Sequence, residues 1–304
     1  MILKPRTEPE ELKKLRILNV RLPLTEHDRN NYSFAEKGFA GEVKFDEWLS
    51  PLLKGKIVLN DLLLQHNNTV FQIDSLVITS PKILMFEVKN YEGDYYVEGD
   101  LWYLLSGKEI KNPLHQLQRN KVLLQALLHE AGVKIPIDSY VVFMNPDFHL
   151  YQSPVNLPII YPNQLKRFAE QLKKERSYVN DRHKELANHL ASLHLSENPN
   201  ARLPEYHYDG LRKGIMCPAC KVKYKELRKT YLVCDSCGSA ESYEPAVLRT
   251  AEEFQLLFPG EKITTNRIHE WCGVIKYKKT IRAVLRTHYT LVGHGKSAHF
   301  IKKY

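Results

Sequence analysis

Residues 72–90, QIDSLVITSPKILMFEVKN, hold two apolar runs, IDSLVIT and ILMFEV, joined at Ser80-Pro81 and interrupted by Asp74, Glu87 and Lys89. Short apolar runs about such a turn read as a β-hairpin. Charged side chains are almost never fully buried unless they are paired or hold a metal. The hairpin therefore constrains the fold and the site together.

Antiparallel pairing about Ser80-Pro81 sets residues whose numbers sum to 161 opposite one another. Asp74 and Glu87 meet that condition, which puts their Cβ atoms about 5 Å apart across the ladder. Lys89, two residues after Glu87, emerges on the same face. Leu76, Ile78, Ile83 and Met85 share this face, and Ile73, Val77, Leu84, Phe86 and Val88 line the other. With both faces apolar, the strands read as central in a covered sheet. Two carboxylates this close and partly buried do not both stay ionised unaided. A divalent cation resolves the conflict, and carboxylate oxygens suit Mg²⁺ or Mn²⁺. A lysine beside it can stabilise charge developing on a phosphate or orient the attacking water. The competing reading is an exposed Asp–Lys or Glu–Lys pair at a sheet end, worth little.

Upstream, SFAEKGFAGEVKFDEWLSPLL reads as a helix starting at Ser33, with Glu36 at capping-box spacing. Gly38 and Gly41 each cost it about 1 kcal/mol relative to Ala, which points to close backbone approach to a neighbouring sheet or ligand. Strands are expected near 56–60, 70–79, 82–89, 94–98 and 101–105, in DSYVVFMN and in LPII. A helix is expected over about 113–131, ended by Gly132, and helical patterns fill 162–194. SENPNARLPE marks a linker. The expected organisation is an irregular N-terminal arm over 1–32 with one short helix near 8–18, an α/β domain over 33–195, a linker over 196–206, a zinc ribbon over 207–245 and a helical module over 246–304.

The ordered segments GFAGEVKFDEWL, QIDSLVIT, MFEVKNYEGDYY, LWY and NPLHQLQRN together resemble the nuclease-related domain, NERD. Asp74…Glu87-Val88-Lys89 is similar to the D…(D/E)-x-K signature of the restriction-endonuclease-like superfamily, which the resemblance extends to the fold: a central mixed sheet flanked by helices. The resemblance implies metal-dependent phosphodiester hydrolysis, with DNA as the substrate. It implies metal-binding carboxylates at Asp74 and Glu87, a catalytic lysine at Lys89, a supporting acidic residue at Glu42 in G-x-x-G-E, and a polar residue at Gln116 in N-P-x-x-Q. Asn120 lies one helical turn beyond Gln116 on the same face.

CPACKVKYKELRKTYLVCDSC places Cys217, Cys220, Cys234 and Cys237 as C-x2-C-x13-C-x2-C. Two such knuckles complete a tetrahedral Cys₄ site with no open position, so its Zn²⁺ is read as structural. The fifth cysteine, Cys272, reads as a buried apolar residue.

Net charge is +9, and it is unevenly placed. Residues 1–200 hold 25 basic and 25 acidic residues, whereas 201–304 hold 19 and 10. A concentrated positive field favours a polyanionic partner, nucleic acid first. Lys223, Lys225 and Arg228 carry it in the ribbon. Three helices follow, TAEEFQLLFPG, TTNRIHEWCGV and KYKKTIRAVLRTHY. The third has an apolar stripe of Ile281, Val284, Leu285 and His288 and a basic stripe of Lys278, Arg282 and Arg286, with Lys279 beside it. TLVGHGKSAHFIKKY reads as two strands joined at Gly293–Gly295, which adds Lys296 to the basic set. Together these resemble a winged-helix DNA-binding module. GHGKS is no phosphate loop, because Thr290 stands where that motif needs glycine.

No apolar run reaches the roughly 18 residues of a membrane span, and the N-terminus lacks the apolar core of a secretory signal. The expectation is a cytoplasmic, Mg²⁺- or Mn²⁺-dependent nuclease that binds DNA through its basic last third, with no membrane partner. The alternatives are a non-catalytic DNA-binding or regulatory protein with a vestigial site, or a nuclease acting on RNA.

Overall fold

The computed structural model describes residues 1–303, with the side chain of Lys296 outside that description. The chain runs β1 (Ile2–Lys4), α1 (Glu10–Arg21), α2 (Glu26–Leu49), β2 (Ile57–His66), β3 (Thr69–Ile78), β4 (Ile83–Lys89), β5 (Gly93–Glu98), β6 (Leu101–Leu104), β7 (Glu109–Ile110) and α3 (Pro113–Glu130). It continues through β8 (Ile137–Phe143), β9 (Phe148–Tyr151), β10 (Ile159–Ile160), α4 (Leu165–Lys174), α5 (Asp181–Ser192), β11 (Leu227–Arg228), β12 (Tyr231–Val233), β13 (Ala240–Ser242), α6 (Tyr243–Leu257), α7 (Thr265–Cys272), α8 (Lys278–His288), β14 (Tyr289–Val292) and β15 (His299–Lys302). It forms two compact units: residues 1–8 with 33–201, and residues 9–32 with 202–303. The stretch read from the sequence as one arm thus divides between them.

The first unit is built on a six-stranded mixed sheet ordered β1-β2-β3-β4-β8-β10. β2, β3 and β4 pair antiparallel, while β1, β8 and β10 add in parallel. The β3/β4 ladder has the register expected from the turn: Ser75 faces Phe86, Leu76 faces Met85 and Ile78 faces Ile83. One face of the sheet packs on Leu117, Leu124 and Leu128 of α3, on Leu186 and Leu190 of α5, and on Trp102, Phe148 and Leu150 of a second sheet ordered β7-β6-β5-β9. The other face packs on Phe45 and Leu49 of α2 and Leu172 of α4. Each such buried side chain stabilises the fold by about 1.5–3 kcal/mol relative to exposure, and burial on both faces explains why the strands are apolar throughout.

Alternation fails at one place. Ile73 joins the same core as Leu76 and Ile78, and on β2 Leu62 joins the same core as Leu59. Asp61, lying between Asn60↔Ser75 and Leu62↔Ile73 in the ladder, marks the place on β2: its backbone is left-handed at φ 54°. The expectation that Ile73 faces away from the Leu76 side is corrected accordingly.

The capping box expected at Ser33 does not form, because α2 begins seven residues earlier. There Asp28 N–H donates to Thr25 Oγ1 at 3.1 Å, and Ser33 sits inside the helix. The N-terminus is also more regular than expected, since β1 joins the sheet edge and α1 is a twelve-residue helix.

The second unit buries Leu18 and Leu24 with Tyr224, Leu232, Phe254, Trp271, Ile281 and Leu285. Arg21, 2% exposed, lies over the Trp271 ring at 4.3 Å and donates to the Arg212 carbonyl at 2.9 Å. β11-β12-β13 form a small antiparallel sheet. α6, α7 and α8 then lead into the β14/β15 hairpin. α7 ends at Gly273, whose φ of 65° closes the helix as a left-handed cap. His288, expected in the apolar stripe of α8, is exposed instead and sits 2.8 Å from Glu244. Among the described residues no helix is long and apolar enough to cross a membrane.

Candidate active site and zinc centre

Asp74, Glu87 and Lys89 converge where the β3/β4 ladder opens. Pairing ends at Ser75–Phe86, and beyond it the Val88 N–H donates to Asp74 Oδ2 at 2.7 Å. A side-chain carboxylate thus replaces a ladder carbonyl, which keeps Asp74 among the strands (7% exposed). Glu87, 3% exposed, accepts from Lys89 Nζ at 2.7 Å. The same Nζ donates to Gln116 Oε1 at 3.2 Å. Asn112 caps α3 by accepting the Leu114 N–H at 2.9 Å, and Pro113 begins the helix, so Gln116 sits on its first turn. Asn120, one turn on, is buried and donates to the Gln72 carbonyl of β3 at 2.8 Å. It therefore ties helix to sheet rather than facing the site.

Glu42 reaches the site from α2. The preceding Gly41 packs on Asn90, just after β4, so closely that an added Cβ would meet Asn90 Cβ at 2.5 Å. Of the two helix glycines singled out from the sequence, Gly41 makes the expected close approach; Gly38 has nothing within 4 Å.

Three residues absent from the sequence reading join this group. Arg6 donates to Glu42 Oε2 at 2.5 Å, to both Asp46 oxygens at 2.9 and 3.2 Å, and to the Asp74 carbonyl at 2.7 Å. Asp61 accepts from Gln72 Nε2 at 2.8 Å. Asp46 was within reach of sequence reasoning, since it follows Glu42 at i,i+4 on one helix face. Asp61 left a fainter signal, as the charged residue inside the apolar run IVLNDLLLQ. Nothing local marks Arg6.

The electrostatics are those of too many carboxyls for the cations present. Burial, and then the Asp74 charge, push the Glu42 carboxyl up to about 8 despite Arg6. Burial, and then Asp74, push Glu87 up to about 8 despite Lys89. Asp74 is raised by burial too, although Lys89, the Val88 N–H and Arg6 oppose it. Burial works to lower Lys89, but Glu87 and Asp74 outweigh it and hold the ammonium charged. Hard oxygen donors, buried and short of positive charge, are the surroundings a divalent cation suits. Asp74 and Glu87 fit such an ion by donor type and burial. A cleft of about 450 Å³ opens at Lys89 and Gln116, lined also by Tyr91, Lys111, Asn112 and His115.

The four cysteines form a second centre, in the other unit. Their ligand atoms all lie within 4.8 Å of one another, and among the described residues no other group of three or more His, Cys, Asp or Glu converges so tightly. Cys217 Sγ is 3.7 Å from Cys237 Sγ, and Cys220 Sγ is 3.4 Å from Cys234 Sγ. A tetrahedron with Zn–S bonds of about 2.3 Å has edges of about 3.8 Å, so the set could hold Zn²⁺. The two knuckles share one construction. Lys221 N–H bonds to the Cys217 carbonyl at 2.9 Å and Gly238 N–H to that of Cys234 at 2.8 Å, with left-handed φ of 63° and 73°. Burial raises the Cys217 thiol, but Ser239 and the Cys220 and Ala219 N–H groups bring it down to about 5, favouring the thiolate that a metal needs. Cys272 is fully buried, as expected.

Lys278, Lys279, Arg282 and Arg286 are exposed along α8. Lys223 is exposed as well, its stem over Gly214. Lys225 and Arg228 are exposed but partnered, Lys225 with Asp235 at 3.1 Å and Arg228 with Glu226 at 2.7 Å.

Residues 37–144 match the family model described as NERD, nuclease-related domain. The motif-based link to the restriction-endonuclease-like superfamily is consistent with that match. No curated protein and no solved structure matches the chain.

Proposed function

We propose, from a chain whose residues 37–144 match the nuclease-related domain, that this protein is a divalent-metal-dependent nuclease that hydrolyses phosphodiester bonds of DNA. The match supports a nuclease-like function and a nucleic-acid substrate in general; metal, mechanism and DNA are our reading. The observation that carries it is Lys89 Nζ held between Glu87 Oε1 at 2.7 Å and Gln116 Oε1 at 3.2 Å, beside the buried Asp74 and open to the cleft.

Asp74 and Glu87 would hold Mg²⁺ or Mn²⁺, which supplies a Lewis acid to the phosphodiester. The Val88 N–H fixes the Asp74 carboxylate, and Gln116 fixes the direction of the Lys89 ammonium. Lys89 then stabilises charge that builds on the phosphoryl oxygens as water adds to phosphorus, or orients that water. The P–O bond to the departing sugar oxygen breaks, and that oxygen takes up a proton. Glu42 supports the acidic site from α2. Lys111 and His115 line the cleft, where they suit a neighbouring phosphate. In the other unit, the zinc ribbon would give a small basic segment its core. α7, α8 and the β14/β15 hairpin would act as a winged-helix module, with the α8 cations on the phosphate backbone.

A second reading is favoured by one observation: Glu42, Asp74 and Glu87 do not converge as the cysteines do, since Arg6 and Lys89 hold two of them. On that reading the protein binds nucleic acid without cutting it. Incubation of the parent and Lys89→Ala with supercoiled, linear and single-stranded DNA, and with RNA, in Mg²⁺, Mn²⁺ or EDTA separates the two. Cleavage of DNA by the parent alone, abolished by EDTA, is expected. Binding by both without cleavage by either would establish the second reading, and cleavage of RNA alone would change the substrate.

A further inference from the structure

The N-terminal strand brings a cation into the acidic site from outside the segment that matches the nuclease family. β1 is anchored along β2: the Val58 N–H donates to the Met1 carbonyl at 2.9 Å, and Lys4 Nζ to the Asn60 and Asp61 carbonyls at 2.9 and 2.6 Å. This fixes the strand that leads to Arg6, whose side chain is only 3% exposed. The guanidinium spends its donors on oxygen alone: Glu42, both oxygens of Asp46, and the Asp74 carbonyl. Two half-buried carboxylates and a main-chain carbonyl, converging on one point of positive charge, are the donors a hard divalent ion takes. Here a guanidinium, charged at every pH a protein meets, stands at that point.

We propose that Arg6 is a resident cation of the site, filling the Glu42–Asp46 side that a second divalent ion would otherwise occupy and leaving Asp74 and Glu87 to a single ion. Arg6 is on this view a positioning residue. It fixes Glu42 against α2 and sets how many metal ions the site accepts. The inference rests on the metal-site reading given above. It adds that the site works with one divalent ion and one arginine, where the same carboxylates without the arginine would take two ions. An unpaired guanidinium at this depth would be costly, and so would unpaired Glu42 and Asp46; each answers the other.

The test is Mn²⁺ stoichiometry of the full-length, zinc-loaded protein without nucleic acid, read by titration calorimetry and by the electron paramagnetic resonance signal of free Mn²⁺. The parent is expected to bind one Mn²⁺ at this site, lost in Glu87→Gln. Arg6→Ala is expected to bind two, and Arg6→Lys, which keeps a charge there, one. Should Arg6→Ala fail to fold by circular dichroism, Arg6→Gln removes the charge, keeps an N–H for Glu42, and carries the same expectation of two. One ion in the parent and one of equal affinity in the uncharged variants would overturn the role of Arg6 while leaving the metal site intact. Two ions in the parent or in Arg6→Lys would overturn it equally. No Mn²⁺ in the parent would instead remove the metal-site reading itself, and the inference with it.

Discussion

Gly41 of α2 packs against Asn90 so closely that a β-carbon on the glycine would lie 2.5 Å from the asparagine Cβ. The contact joins the helix residue next to Glu42 with the strand-end residue next to Lys89, so it sets the spacing of the candidate site. Gly41→Ala must push helix and strand apart. We expect it to destabilise the first unit by about 1–3 kcal/mol, the usual cost of overpacking, and to lower cleavage more than stability alone accounts for. Gly38→Ala, with open space around it, should be neutral or stabilise α2 by up to about 1 kcal/mol. Thermal melts and cleavage rates of the two variants check the pair, and equal behaviour would count against a spacing role.

Lys89 and Gln116 should differ in weight. Removing the ammonium takes away charge stabilisation at the reacting phosphate, so Lys89→Ala should slow cleavage by about 10²-fold or more. Gln116 contributes one hydrogen bond to Lys89, at 3.2 Å, worth about 0.5–1.5 kcal/mol net. Gln116→Ala should therefore cost no more than about tenfold. Single-turnover rates at saturating DNA would measure both, and a Gln116 variant as inactive as Lys89→Ala would mean that Gln116 touches the substrate.

How legible the site was in the sequence follows the range of the interactions. The β3/β4 register over Ser75–Ile78 and Ile83–Phe86 came from a two-residue turn and period-2 alternation, both local, but the expected Asp74–Glu87 pair lies beyond the last rung, where Asp74 accepts the Val88 N–H instead. The cysteine knuckles were legible because each closes over five residues. Arg6 was not legible, because its place depends on β1 pairing with a strand more than fifty residues away. Nor was the reset of alternation at Asp61, where a non-glycine residue adopts a left-handed backbone that no composition rule anticipates. Ser33 misled for a third reason: a capping-box pattern is only a start signal when no stronger cap lies upstream, and Thr25 does.

Zinc removal should act on one unit only. The ribbon's core is small, with Tyr224 and Leu232 its fully buried side chains between the knuckles, so a bound Zn²⁺ would supply what packing lacks. Chelation at low pH, or Cys217→Ser, is expected to lower the stability of the second unit while leaving that of the first unchanged. Limited proteolysis followed by fragment identification would show it, with new cuts confined to about 207–245. Loss of the six-stranded sheet under the same conditions would contradict the prediction.

Cys272 should resist thiol reagents that attack the knuckles. Burial pushes its thiol up to about 12, only partly offset by Arg21, so at neutral pH it is both inaccessible and protonated. Cys217 and Cys234 are buried too, so once zinc removal opens the knuckles the protein should consume four equivalents of a thiol reagent, and a fifth only on full denaturation. The sign follows from the shift: a raised thiol pKa keeps the unreactive form at every pH below it. Rapid labelling of Cys272 in the native state would show that α7 opens.

The basic residues of the second unit should divide by whether they already have partners. Lys225 and Arg228 neutralise Asp235 and Glu226, so a phosphate must compete with a carboxylate for each. Lys278, Arg282 and Arg286 lie exposed at i, i+4, i+8 on α8, and among the described residues no carboxylate pairs with them. Each phosphate neutralised contributes about −0.9 to the slope of log K against log salt on duplex DNA. Lys278→Ala, Arg282→Ala and Arg286→Ala together should therefore weaken binding and flatten the slope by up to about 3. Lys225→Ala with Arg228→Ala should change it by less than about 1, because removing those cations frees two carboxylates but releases few counterions. Fluorescence-anisotropy titrations at several salt concentrations measure both slopes. If the ribbon pair flattens the slope more than the α8 triple does, the nucleic acid lies on the ribbon and the winged-helix reading of α7, α8 and the hairpin gives way.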